Sequence, residues 1–390
     1  MSNTYKMDAV NFIKNLLKQK KQINIAEFID LALYHSDFGY YRKAKPIGKN
    51  GDFITSSEVS QIFAEVILAY FINISSLPQY ICENSSGGGA KWSFVEIGSG
   101  RGTFLIDFWQ KLNSLAKTNK IANSFLENLE INIVEISEEL KQQQIKNFQS
   151  NGEGLALKVK YWSSFGDFKN SVADRKVMIF ANELFDCLPL RQFVYRNNLW
   201  QEKMVAIATE ISTVNFLHFV ESSIDDKTSK LIAEELILQN LTPNLTISEG
   251  AVFEHSDASL SLIDDMAKLI KKNRGVALII DYGYYNNLLI NTLQAVANHQ
   301  YCNPLEDVGK VDLTTLVNFL RLEILVKSHN LPTSFTTQAN FLLNFGAEIR
   351  LEKLIKNSSP QKQDLLKTSF ARLVSSDQMG ELFKVLTFWN

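Results

Sequence analysis

The sequence predicts an α/β fold built on a Rossmann-like sheet, and three observations carry that reading. Trp92 to Ile97 is a short β-prone run bounded by glycine, the mark of a buried strand. It passes into Gly98, Gly100 and Gly102 and then into an apolar-periodic stretch, Phe104 to Leu115, that reads as a helix. Strand, glycine turn and helix form the first half of a nucleotide-binding unit. Further apolar runs downstream end in carboxylates or amides, as strands do that deliver side chains to a ligand-binding edge.

Elements follow in chain order. Residues 1 to about 80 look mainly helical, with amphipathic stripes at Val10 to Leu17, Ile25 to Tyr34 and Ile62 to Phe71. Between the last two stripes lies a glycine-bearing, hydroxyl-rich segment, Gly48 to Glu58, in which Ser56 or Ser57 is a candidate helix cap. The segment is either a capped surface turn or a flap over a cofactor pocket. Asn84 to Gly89 is the clearest flexible stretch and marks entry into the core. Hence the expected division is 1–89, a helical region with the flap, and 90–390, the core.

After the first core helix, Ile131 to Glu135 reads as a strand, and Asn113 to Asn128 leaves room for an extra turn or helix. Val177 to Phe180 is the next buried strand. Leu190 to Phe219 alternates like hairpins, with Asn197-Asn198 as a turn, and Ile224 to Gln239 looks helical. We read about 190–255 as a β-rich insertion. Ser256 to Lys272 is an amphipathic helix with Ser256 and Asp257 at its start and Arg274-Gly275 at its end. Val276 to Tyr284 is another strand, and the tail contributes strands at Glu323 to Lys327 and Phe383 to Trp389. The expected sheet has seven strands with one antiparallel member.

Composition bounds the chemistry. The chain has 390 residues, 45% of them hydrophobic, which suffices for one large or two ordinary domains. Its net charge of −2 gives no reason to expect nucleic-acid binding. Three scattered cysteines and five scattered histidines form no disulfide framework and no metal spacing, so no metal is expected. The N-terminus lacks the apolar core of a signal peptide and the arginines of a transit peptide, and no run of about 18 apolar residues is present. The expectation is a cytoplasmic protein with no membrane span.

The glycine loop indicates which nucleotide is bound. Thr103 occupies the third position of a dinucleotide fingerprint counted from Gly98, and no Gly-Lys-Ser/Thr follows, so neither that fingerprint nor a P-loop is present. Glu96 precedes Gly98 by two residues and would repel a pyrophosphate. It suits the cationic S-adenosyl-L-methionine, although a ligand-free turn has the same appearance. Glu135, 33 residues past Gly102, stands where an acidic residue binds ribose hydroxyls, or is simply a surface glutamate at a strand end. Val177 to Phe180 discharges into Ala181-Asn182-Glu183-Leu184-Phe185-Asp186, which places two carboxylates at the ligand edge or, alternatively, at a helix cap. A guanidinium must be oriented by carboxylates, and Glu183 has the position for it.

Taken together, the motifs resemble the MidA-like S-adenosylmethionine-dependent methyltransferases. They are Gly39-Tyr40-Tyr41, Gly51-Asp52-Phe53-Ile54-Thr55, Glu96 through Thr103, Val134-Glu135-Ile136-Ser137, Asn182 through Asp186, Ile280-Asp281-Tyr282-Gly283, Asp312-Leu313-Thr314, Thr337-Gln338 and Met379 through Val385. The family usually has Pro where Ser99 and Val308 stand. The resemblance implies a class I methyltransferase fold with a Rossmann-like seven-stranded sheet, in which Glu96, Gly98, Gly100 and Gly102 hold the amino-acid part of the cofactor and Glu135 its ribose. Asp52, Phe53 and Thr55 would close the pocket. Glu183 would orient the acceptor nitrogen, with Asp186 beside it, Glu202 as a rival second carboxylate and His299 as a proton acceptor or orienter. It also implies a protein arginine as acceptor, a quinone-side subunit of respiratory complex I as partner and a role in assembly. The alternatives are another acceptor or a catalytically silent assembly chaperone.

Overall fold

The computed structural model describes residues 9–42, 55–80, 90–208, 216–239, 247–297 and 300–390. Asp52, Phe53 and His299 lie outside the described residues. Compactness divides the chain into two units that interleave along the sequence. One comprises the described residues of Met1–Pro46, Phe185–Leu262 and Gly283–Leu325, the other those of Ile47–Leu184, Ile263–Tyr282 and Val326–Asn390. These units cut the chain differently from the expected 1–89 and 90–390.

The larger unit is built on a mixed sheet of seven strands: β1 (Trp92–Ile97), β2 (Leu129–Val134), β3 (Val159–Trp162), β4 (Lys176–Asn182), β5 (Gly275–Tyr284), β6 (Thr333–Thr337) and β7 (Phe383–Trp389). Their order is β3-β2-β1-β4-β5-β7-β6. The first five are mutually parallel, and β7 runs antiparallel to both β5 and β6. The sheet has an eighth member that the sequence did not announce: Val317–Asn318 pairs with Gly283 and Tyr284, the end of β5 that belongs to the smaller unit.

All six residues of β1 are buried, as a central parallel strand covered on both faces requires. Helices α1 (Gln61–Ser75), α2 (Thr103–Ala116), α3 (Lys120–Asn128) and α4 (Glu138–Asn151) belong to this unit. Phe63, Phe71, Phe94, Phe104, Phe108 and Phe180 are at most 2% exposed and lie in one core cluster. Helix α3 fills the room left before β2. Gly275 has φ +139°, and a Cβ there would meet the Val177 carbonyl oxygen at 2.0 Å. Only glycine lets β5 begin this close to β4.

The smaller unit has a sheet in which Gln22–Asn24, Leu199–Ile207, Arg191–Arg196 and Val252–His255 follow one another, with Leu217–Ser223 paired to Leu199–Ile207. Asn197 and Asn198 both have positive φ, 50° and 64°, and make the tight hairpin turn read from the sequence. Phe193, Ile232, Leu236 and Phe253 pack as a small core. A separate three-stranded sheet joins Gln294–Ala297 to Gln300–Cys302 and Asp312–Thr314.

Three local expectations are corrected. Glu323 to Lys327 is not a strand but lies within the helix Phe319–Ser328. The β-branched run favours a strand locally. However, Phe319, Leu322 and Val326 are buried at helical spacing, and Asn318 Oδ1 accepts the Arg321 N–H at 3.0 Å to start the helix. The cap of α1 is Ser60, whose hydroxyl accepts the Ile62 N–H, while Ser56 and Ser57 sit inside a separate helical turn, Ser56–Val59. Finally, the N-terminal helices are interrupted by the strand Gln22–Asn24, too short to show a period.

Candidate active site

The carboxyl ends of β1, β2 and β4 bring three of the expected glutamates to the same edge of the larger unit's sheet. Glu96, in β1, is 4% exposed, and its Oε2 accepts the Ser99 hydroxyl at 2.5 Å. Burial pushes its pKa up to about 8; the Ser99 hydrogen bond pulls it down and the nearby Glu135 raises it further. Ser99 was not among the expected site residues, and here its hydroxyl fixes the rotamer of Glu96.

Gly98, Gly100 and Gly102 all have positive φ, 71°, 52° and 77°. Gly98 N–H donates to the Val134 carbonyl of β2 at 3.0 Å and Gly102 N–H to the Ser99 carbonyl at 2.8 Å, so backbone bonds to β2 and within the loop fold it. Gly102 begins α2. A Cβ on it would meet the Phe148 ring at 2.5 Å, so this glycine serves the packing of α4 against the loop. Four residues before Phe148, Gln144 is fully buried. Its amide donates to the Gly100 carbonyl at 2.8 Å and to Glu135 Oε2 at 3.2 Å. It thereby links the glycine loop to the carboxylate at the end of β2. Glu135 Oε1 also accepts the Ser137 N–H at 2.8 Å, and its own N–H donates to the Trp162 carbonyl.

Glu183 is the first residue beyond β4. Its backbone is left-handed, φ 51°, a conformation that costs a non-glycine residue on the order of 1–3 kcal/mol and is concentrated at functional sites. Its N–H donates to the Ile280 carbonyl at 2.9 Å. Its Oε1 accepts the Ser56 N–H at 2.7 Å and the Asn182 side-chain amide at 3.1 Å. Burial raises its pKa above the ordinary carboxylate value, and the Ser56 and Asn182 hydrogen bonds offset part of that rise. Thr55 directly precedes Ser56, and its hydroxyl lies 3.0 Å from the Ser57 hydroxyl.

The remaining expected carboxylates belong to the smaller unit. Asp186 is 7% exposed, and its carbonyl accepts both the N–H and the hydroxyl of Thr315. Glu202 makes a two-pronged pair with Arg191 at 2.7 and 2.8 Å. Its charge is thereby already matched, a pairing not legible in the sequence because Arg191 reaches it diagonally across a hairpin in which Phe193 stands opposite Glu202.

Among the described residues, the buried polar atoms of the larger unit without a hydrogen-bond partner include Gln144 Oε1, the Tyr161 hydroxyl and Asn182 Oδ1. Gln144 touches Glu135, Asn182 touches Glu183, and the Tyr161 pKa is raised first by burial and then by the charges of Glu135 and Glu96. Buried orphans are uncommon in folded proteins and fit a polar ligand. Glu96 and Glu135 are acceptors suited to an ammonium and to ribose hydroxyls, not to a pyrophosphate. The residues therefore fit S-adenosyl-L-methionine.

Comparison with known proteins agrees. Residues 77–335 match the model of an S-adenosyl-L-methionine-dependent methyltransferase family. A Danio rerio protein named protein arginine methyltransferase NDUFAF7, mitochondrial, is 27% identical over 387 residues, covering 94% of this chain and 83% of its own. The Mus musculus protein of that name is 28% identical, with coverages of 94% and 81%. A crystal structure from Burkholderia thailandensis, bound to S-adenosyl-homocysteine, has a TM-score of 0.78 at 22% identity, covering 98% of this chain and 91% of that one, and at that identity the likeness speaks to the fold. These findings overturn the cytoplasmic expectation, since the relatives are mitochondrial proteins. That expectation rested on a leader not being visible, and a missing composition signal does not fix a compartment. Among the described residues no helix is long and apolar enough to cross a membrane. The chain belongs to the MidA-like family of S-adenosyl-L-methionine-dependent methyltransferases and is an enzyme that uses this cofactor.

Proposed function

We propose that the enzyme methylates a protein arginine and that Glu183 orients the acceptor guanidinium. The observation that carries this is the state of Glu183: a buried carboxylate in a left-handed backbone, braced by the Ser56 N–H and the Asn182 amide at the exit of β4. The names of the relatives supply the acceptor class. On this reading the sheet is the seven-stranded class I methyltransferase arrangement, with Val317–Asn318 an addition to it. A complex I subunit on the quinone side is the partner, and methylation assists assembly; both come from the family resemblance.

Glu96 and the Gly98–Gly102 loop would hold the amino-acid part of the cofactor and Glu135 its ribose, with Thr55 closing from the N-terminal side. When bound, S-adenosyl-L-methionine supplies an electrophilic methyl on a sulfonium. Everything else falls to the protein. A guanidinium spreads its charge over three nitrogens and is a weak nucleophile. Glu183, once ionised, would pair with its N–H groups and hold its plane, directing one nitrogen to the methyl. Asn182 and the Ser56 N–H keep the carboxylate in place before the acceptor arrives, so no reorganisation is needed during transfer. Asp186 is the candidate second carboxylate, because Glu202 is paired with Arg191.

The test is transfer of labelled methyl to the recombinant quinone-side subunit. Glu183→Gln should bind the cofactor normally and lose at least about a hundredfold in transfer rate, the scale of losing one preorganised electrostatic partner. Normal turnover in that variant ends the assignment.

A further inference from the structure

We propose that Asp281 and Gln338 are positioning residues for Glu183, the first acting on its backbone and the second on its carboxylate through Ser56. The proposal rests on the reading of Glu183 as the orienting group. It gives a role to two motifs, Ile280-Asp281-Tyr282-Gly283 and Thr337-Gln338, that cofactor binding leaves unused.

Asp281 sits where the ladder between β4 and β5 ends. The last register pair is Ile280 with Asn182. Beyond it Glu183 N–H still reaches the Ile280 carbonyl. Asp281 Oδ2 accepts the Leu184 N–H at 3.0 Å, and Oδ1 accepts the Tyr282 N–H at 2.9 Å. The side chain is fully buried. Its two oxygens thus continue the ladder by one step on each strand. Glu183 lies between a backbone bond to Ile280 and this clamp on Leu184, which holds it in the left-handed conformation. An asparagine has one acceptor oxygen, so its amide would face one of the two N–H groups.

Gln338 works from the other side. It is fully buried, as is Ser56. Its Nε2 donates to the Leu373 carbonyl at 2.9 Å, which fixes the amide, and its Oε1 accepts the Ser56 hydroxyl at 3.4 Å. Ser56 in turn donates its N–H to Glu183 Oε1. The carboxylate is therefore held at the end of a buried chain that runs from Leu373 through Gln338 and Ser56.

Two readouts separate positioning from general stability. The first is a double-mutant cycle on methyl transfer to the recombinant quinone-side subunit. Asp281→Asn and Gln338→Leu should each lower kcat about tenfold while cofactor affinity stays within threefold. In a Glu183→Gln background each should cost less than twofold, because groups acting through one residue do not add. The second is a carbon-13 titration of the Glu183 carboxyl, identified by the signal lost in Glu183→Gln. Gln338→Leu releases the Ser56 hydroxyl and should shift the midpoint, as should Asp281→Asn by displacing the turn. This readout needs no acceptor and decides the matter if the subunit takes no label. If Asp281→Asn does not fold, the Gln338→Leu arm carries the test. Additive losses, or an unmoved midpoint in folded variants, would overturn the proposal. Wild-type transfer by Glu183→Gln would instead remove the catalytic reading, a distinct outcome.

Discussion

Replacing Glu96 with glutamine should stabilise the protein above neutral pH and at the same time cripple cofactor binding. Burial lifts the Glu96 pKa to about 8, against an unperturbed value of 4.5. Between those values the folded state holds a proton that the unfolded chain releases, so its contribution is fully present below the unfolded pKa and is lost as pH rises. The slope is about 1.4 kcal/mol per pH unit. From pH 6 to pH 8 the wild type should therefore lose roughly 2–3 kcal/mol relative to Glu96→Gln, which has no such proton. A bound ammonium reverses the preference by favouring the carboxylate. Cofactor binding at pH 7 should then release close to one proton, visible by calorimetry in buffers of different ionisation enthalpy. Glu96→Gln should bind roughly ten- to a hundredfold more weakly, the scale of a lost charged hydrogen bond. Urea unfolding at pH 6, 7 and 8 gives the stability difference. Parallel profiles for the two proteins, or unchanged cofactor affinity in the variant, would refute the reasoning.

Other expectations follow from the same edge of the sheet. Glu135→Ala should weaken cofactor binding by roughly ten- to a hundredfold, and tighter binding of NAD than of S-adenosyl-L-methionine by the wild type would reverse the cofactor assignment. Gly102→Ala should destabilise the fold by about 1–3 kcal/mol, because its φ is +77° and the new methyl meets the Phe148 ring; a melting temperature equal to wild type would contradict this. Methyl transfer should fall as pH drops through the raised pKa of Glu183, since only the ionised form pairs with the acceptor. A rate flat down to the ordinary carboxylate range would mean that the charge of Glu183 is not used.

Much of the larger unit was legible from the sequence because its signals are local. An all-apolar strand and alternate glycines mark β1 and its turn, and an acidic residue just past an apolar run marks the ends of β2 and β4. What could not be read depends on contacts far apart in the chain. Ser56 reaches Glu183 across 127 positions and Gln338 across 282. Gln144 looks like one polar residue among many on α4, and only its contact with the glycine loop gives it meaning. Glu202 resembled a spare carboxylate until the hairpin brought Arg191 within reach of it. The Glu323 to Lys327 run failed for a different reason: its local β preference yields to burial at helical spacing.

The central claim is that an arginine of a protein is the acceptor and that Glu183 makes it one. Isotope-labelled methyl transfer followed by tandem mass spectrometry of the labelled protein tests both parts, run side by side with wild-type enzyme and Glu183→Gln. The account predicts label on arginine side chains with the wild type and at least about a hundredfold less with the variant, at equal cofactor occupancy. Label on lysine, glutamine or nucleic acid with none on arginine, or equal labelling by the two enzymes, would contradict it.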